Sequence, residues 1–212
     1  MFDELIKNLH VDDAAIKLSK EEYGIHYIIV YPDLTTLRVF YSHYAKQQLI
    51  EKQYNEITLI APFYETTDSV RQALSGGIAP MDVPKHEEKD KTLLLVDAYH
   101  HYFDGEGREQ RRVQEIMTGE VGEESLSIAE ERMVKHAIRR GKSGFSILVD
   151  TGPYPYRGKL KELVDYEISL PKKFDLEIKR ICLYHKKDFD RFQEEQKQKL
   201  IEHHGMAIEI HA

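Results

Sequence analysis

Five near-continuous apolar runs constrain this chain more than any other feature. They occupy residues 25–31 (IHYIIVY), 57–62 (ITLIAP), 92–96 (TLLLV), 145–149 (FSILV) and 178–184 (IKRICLY). A strand with one wet face alternates apolar and polar residues. Runs with so few polar positions are the mark of strands covered on both faces. Segments of helical spacing lie between them: Leu37, Phe40, Tyr41, Tyr44 and Leu49 after the first run, Val70 and Leu74 after the second, Leu160, Leu163, Val164 and Ile168 after the fourth. This order predicts an α/β fold, a mainly parallel central sheet with helices on both faces. Residues 206–210 predict a closing strand at the edge of the sheet, antiparallel to its neighbour. Residues 1–20 predict a short N-terminal helical extension, which leaves 21–212 as one α/β domain. Asp188 is placed to cap the last helix. Residues 103–124, rich in Gly, Glu and Arg, predict a mobile acidic excursion.

A chain of 212 residues can bury a sufficient core without disulfides or metals. Its one cysteine, Cys182, has no partner in the chain, which fits a reducing compartment. Acids run through the apolar positions of the first 18 residues, unlike a secretory leader. The expected location is cytoplasmic. A formal charge of −7 opposes general binding to nucleic acid or anionic membranes, and the apolar runs are too short to span a bilayer. The expected partners are therefore a small organic molecule and a signalling protein or a second copy of the chain.

Ligands of parallel sheets bind beyond the carboxyl ends of the strands. The chain is rich there in Tyr, His and carboxylates. The candidate ligand-binding residues are Tyr31, Asp33, Thr35, Phe63, Tyr64, Glu65, Asp97, Tyr99, His100 and Tyr184; Asp150, Thr151, Tyr154 and Tyr156 lie at another strand exit. A nucleoside triphosphatase needs GxxxxGK[ST] after its first strand, so that backbone N–H groups and a lysine hold the phosphates. Here that turn reads Pro32-Asp33-Leu34-Thr35-Thr36, with neither glycine nor lysine. Gly141-Lys142-Ser143-Gly144 follows a helix and precedes a strand, the reverse of the required order. Asp97, at the end of Leu93-Leu94-Leu95-Val96, resembles the metal-organising acid of such enzymes. Asp97, His100, His101 and Asp104 sit close in sequence, as do His203 and His204, but adjacent histidines point in different directions, and a metal site usually adds a distant third ligand to an i,i+2 or i,i+4 pair. Cys182, inside an apolar strand, reads as a small buried hydrophobe. No nucleophile elbow or Ser-His-Asp arrangement is visible. No catalytic residue, metal or cofactor is therefore expected.

The pattern of His26 to Tyr31, Pro62-Phe63, Leu163 to Glu167, Ile181 to Tyr184 and His203-His204 resembles the sensory domain named for methanogens, methylotrophs and the dichloromethane-responsive regulator DcmR, called MEDS. The resemblance spans residues 22–210. Its most specific parts are the Tyr166-Glu167 pair and the Cys182-x-Tyr184 triplet. It implies a RecA- and KaiC-like fold without a phosphate loop, and a sensor of small organic molecules. Unlike the multidomain members, this chain shows no output domain. Two other readings fit the same residues. One is a degenerate RecA-like scaffold that binds only protein. The other is a metal-dependent enzyme acting on a nucleotide or phosphoester through Glu65, Asp97 and the histidine pair.

Overall fold

The computed structural model describes residues 6–51, 55–103 and 126–212. Among these residues, seven strands form one sheet: β1 (Ile6–His10), β2 (Ile25–Tyr31), β3 (Ile57–Ala61), β4 (Leu93–Leu95), β5 (Phe145–Asp150), β6 (Ile178–His185) and β7 (Met206–His211). Their order is β1-β7-β2-β6-β5-β3-β4, and every pairing is parallel. The helices are α1 (Val11–Lys20), α2 (Leu34–Leu49), α3 (Thr67–Gly76), α4 (Ala98–Phe103), α5 (Leu126–Arg139), α6 (Pro153–Tyr156), α7 (Leu160–Ser169), α8 (Lys186–Phe189) and α9 (Glu194–His203). A π-helical turn, Lys85–Lys89, precedes β4. The chain is thus α/β, with a parallel sheet and helices on both faces.

The direction of chain travel decides which helix covers which face. From β1 to β4 the chain moves one way across the sheet; from β4 to β7 it returns. Right-handed crossovers then put the outward helices on one face and the returning helices on the other. On the first face, Val11, Leu18, Leu37, Phe40, Tyr41, Val70 and Leu74 pack on Tyr27, Ile29, Ile60, Leu148 and Ile181. On the second, Met133, Val134 and Ala137 of α5 cover Ile57, Leu59, Ile147 and Val149. Beside them, Leu163 and Val164 of α7, with Leu200 and Ile201 of α9, cover Ile28, Val30 and Cys182.

Two expectations need correction. Residues 6–10 are not part of a helical extension but a strand at the edge of the sheet, paired with β7. Only Ile6 and Leu9 are apolar in IKNLH, a spacing of three that mimics a helix, and the strand is half exposed because its outer side is open. The C-terminal strand does belong to this end of the sheet, but it lies between β1 and β2 and is parallel to both. The crossover through α9 returns the chain to the starting side, which leaves no antiparallel hairpin to form. The excursion at 103–124 lies, beyond Phe103, outside the described residues. No helix among the described residues is long and apolar enough to cross a membrane.

Candidate functional site

In an open parallel sheet, a crevice opens where neighbouring strands send their connections to opposite faces. The strand β2 leads into α2 on the first face, and its neighbour β6 leads through α8 and α9 to the second. Tyr31 and His185 end these two strands in register. Their rings meet edge to face, with centroids 5.2 Å apart. The Tyr31 hydroxyl donates to Asp150 Oδ2 at 2.6 Å, and the Gly152 backbone N–H donates to Asp150 Oδ1 at 2.8 Å. Asp150 is buried, as is Tyr31. Burial drives the Asp150 carboxyl up to about 7, against the two hydrogen bonds, with Asp188 and Glu65 adding to the rise. Burial, then the charge of Asp150, push the Tyr31 phenol far above its ordinary range, so it remains a donor.

The loop after β3 closes over this pair. Tyr64 packs on His185, and its hydroxyl donates to Asp188 Oδ2. Arg191 holds the other Asp188 oxygen at 3.1 Å. The side chain of Glu65 is buried, accepts from Arg38 Nε at 2.8 Å through Oε2, and leaves Oε1 without a hydrogen-bond partner among the described residues. Burial raises the Glu65 carboxyl in spite of Arg38. Backbone fit is tight here: a Cβ on Gly152 would lie 2.4 Å from Phe63 Cδ1 and 2.7 Å from Tyr64 Cε2. From Tyr64 an aromatic strip runs along the strand ends. Phe63 touches both Tyr64 and the exposed Tyr156. The next residue, Arg157, stands over Phe103 at 4.5 Å and over Tyr99 at 5.9 Å.

The candidate residues therefore divide. Tyr31, Phe63, Tyr64 and Glu65 converge around Asp150. Tyr184 points to the opposite face of the sheet, where it packs on Phe189 and Phe192. It pairs with Val30, one residue before Tyr31, and side chains of successive strand residues alternate faces. Asp33 caps α2, accepting from the Thr36 N–H at 2.9 Å. Thr35 lines a separate groove of about 480 Å³ between α2 and α3. Asp97 is exposed and accepts from the N–H groups of Tyr99 and His100. It is Asp150, not Asp97, that supplies the buried acid at a strand end. Asp188 does not cap the last helix: α9 starts at Glu194 with a Gln193–Gln196 capping box, which frees Asp188 for Tyr64. Among the described residues, Asp97, His100 and His101 form no group able to hold a metal; Asp104 lies outside them. Such a group does occur beneath α7 and α9, where His26, Glu167, Cys182 and His204 meet.

No protein-family model matches the chain, and no curated protein matches it. The chemistry of the strand ends must then be read from their own residues. Three carboxylates, Asp150, Asp188 and Glu65, gather within one aromatic frame, with Arg38 and Arg191 balancing two of them. Asp150 is left to hold a proton near neutrality. It is able to donate to or accept from a bound group according to pH.

Proposed function

We propose that the chain is a sensory module that binds a small organic molecule at the carboxyl ends of β2, β3, β5 and β6 and does not hydrolyse nucleotides. The observation that carries this reading is the buried Tyr31–Asp150 pair beneath the Phe63-Tyr64-Tyr156 strip. A phosphate site in this position needs glycine N–H donors and a lysine; the cluster offers carboxylates and aromatic faces instead. Its chemistry suits a compact, partly apolar molecule with a neutral or cationic hydrogen-bonding head. Tyrosine rings supply contact area at low entropic cost, and their hydroxyls orient the head group. The absence of a glycine-lysine loop, together with a parallel sheet covered on both faces, is what a MEDS-like, degenerate RecA-like domain requires. The chain would then report ligand to a partner protein through the loops that close on it.

Two measurements test this reading. Calorimetry with MgATP is expected to show no binding at micromolar concentration; micromolar affinity overturns the reading. A thermal-shift screen of small neutral and cationic organic compounds is expected to give stabilising hits. A compound present at 100 times its Kd adds about 2.7 kcal/mol to the native state by mass action. The shift is expected to vanish in Tyr64→Ala, whose half-exposed ring is not needed for the core. A hit retained in that variant moves the ligand away from the strand ends.

A further inference from the structure

The second face of the sheet carries a cluster that the strand-end reading does not use. His26 stands near the start of β2 and Cys182 in the middle of β6, both on the face covered by α7 and α9. Glu167 projects from α7, and His204 is the residue that ends α9. All four residues are buried. One ligand atom from each lies within 4.8 Å of the others. Glu167 Oε2 is the hub: it is 3.4 Å from Cys182 Sγ, 3.6 Å from His204 Nε2 and 4.0 Å from His26 Nδ1.

The geometry points to a buried, four-coordinate site for a divalent transition ion of the zinc class, formed by His26, Glu167, Cys182 and His204. Tetrahedral zinc with nitrogen, oxygen and sulfur ligands spaces its donors by about 3.3–3.6 Å, so side-chain adjustments close the cluster on an ion. Imidazole and thiolate together favour zinc-like ions over calcium or magnesium.

Three further observations support the assignment. His204 Nδ1 lies 2.6 Å from the Leu200 carbonyl and must donate to it, which turns Nε2 toward the cluster in the way ligating histidines are oriented. Both ring nitrogens of His26 are buried without a hydrogen-bond partner among the described residues, as is Glu167 Oε1. The His26 ring is fixed by stacking on Phe174, with centroids 4.6 Å apart and planes 8° from parallel. Arg180 directs one guanidinium nitrogen to the Tyr166 hydroxyl at 3.0 Å.

Loading is a coordination step with one proton released. The Cys182 thiol gives its proton to solvent, the thiolate and the Glu167 carboxylate bring two negative charges to the dication, and the two imidazoles bind neutral. With four protein ligands and no open position, the ion holds α7 and the end of α9 to β2 and β6, and its binding is coupled to folding. The site lies on the opposite face from Tyr31 and Asp150, so it stands or falls independently of the strand-end reading.

The test uses the full chain, unfolded in chelator and reductant, freed of both, and refolded with Co²⁺. One equivalent is expected to bind, with tetrahedral d–d bands and a thiolate-to-cobalt charge-transfer band, all displaced by Zn²⁺. Cys182 is the only cysteine, so the charge-transfer band by itself names that ligand. Cys182→Ser is expected to lose this band, and His26→Gln and His204→Gln the tetrahedral intensity. His203→Gln is expected to keep both, because His203 Nε2 is engaged with the Leu170 carbonyl at 3.0 Å. Where a variant does not refold, the wild-type charge-transfer band and a rise in the urea midpoint with Zn²⁺ over chelator decide the matter. Cobalt bound without a thiolate band, as surface groups such as His10 and His211 would give, overturns the proposal. So does a chain that takes up no cobalt and has a midpoint indifferent to chelator.

Discussion

Replacing Asp150 with Asn is expected to stabilise the protein above neutral pH, and to do so progressively less as the pH falls. Asp150 has a carboxyl raised from 3.8 to about 7 by burial. Between those values the folded state keeps a proton that the unfolded chain has released. Stability therefore falls as pH rises through this window and levels off above it, where both states are ionised. Fully developed, a shift of this size is worth roughly 4 kcal/mol. Asn cannot ionise and carries no such penalty. It retains an oxygen for the Gly152 N–H, and its amide can donate to the Tyr31 hydroxyl, which accepts as well as donates. The stability gap between variant and wild type is expected to widen in favour of the variant by about 2–3 kcal/mol between about pH 5 and about pH 8. Urea unfolding at the two pH values measures it. A gap that does not change with pH means that Asp150 titrates as an ordinary carboxylate and that the strand-end cluster is not poised near neutrality.

The same residue shows what a sequence can and cannot reveal here. The runs that became β2, β3, β5 and β6 are legible because burial on both faces removes polar residues, and that pattern needs no knowledge of neighbours. The edge strand β1 is not legible, because one open side lets Lys7 and Asn8 stand where an interior strand would be apolar. At the strand exits, Asp33, Asp97 and Asp150 look alike in sequence: each is an acid ending an apolar run. Only the packing separates them. Asp33 and Asp97 spend their oxygens on helix N–H groups, whereas Asp150 is sealed under α2 with Tyr31 as its partner. Tyr31 and Tyr184 are likewise equivalent as strand-end tyrosines until the register places them on opposite faces.

The four donors beneath α7 and α9 were hidden for a different reason. His26, Glu167, Cys182 and His204 come from four different elements, β2, α7, β6 and the end of α9, and no local spacing joins them. The doublet His203-His204 has poor spacing for a metal, since adjacent side chains diverge. The divergence is what sends His203 to the Leu170 carbonyl and His204 into the cluster. Tyr166-Glu167 and Cys182-x-Tyr184 were the most specific parts of the family resemblance, and their Glu and Cys meet in this one place.

The largest loss of stability is expected at the opposite end of the sheet, from Glu56→Ala. Glu56, just before β3, and Lys179, in β6, are both buried and form an ion pair at 3.1 Å. Around them the polar groups are engaged one by one. Tyr23 and Ser146 donate to the two Glu56 oxygens, Tyr44 donates to Ser146 at 2.9 Å, and Lys179 donates to the Ser19 carbonyl at 2.7 Å. Gln48 reaches the same carbonyl at 3.2 Å, so the network ties α1 and α2 to the amino ends of the strands. A buried pair of this kind adds little over an apolar pair of the same shape, because desolvation offsets the attraction. Removing one partner is another matter, since it strands the other charge in the core. Glu56→Ala is expected to cost about 3–5 kcal/mol by removing the carboxylate that Lys179 meets at 3.1 Å in the core. Glu56→Leu combined with Lys179→Met is expected to recover most of that loss, which is the behaviour of coupled neighbours rather than independent sites. Urea unfolding of the single and double variants measures the coupling. If the double variant loses the sum of the two single losses, the pair is not coupled and the network does not stabilise as a unit. The carboxylates at the two ends of the sheet thus differ in their partners. Glu56 meets a lysine and two hydroxyl donors. Asp150 meets a tyrosine and a backbone N–H, with no cation in contact among the described residues, and burial raises its carboxyl to about 7, which lets its proton respond near neutral pH.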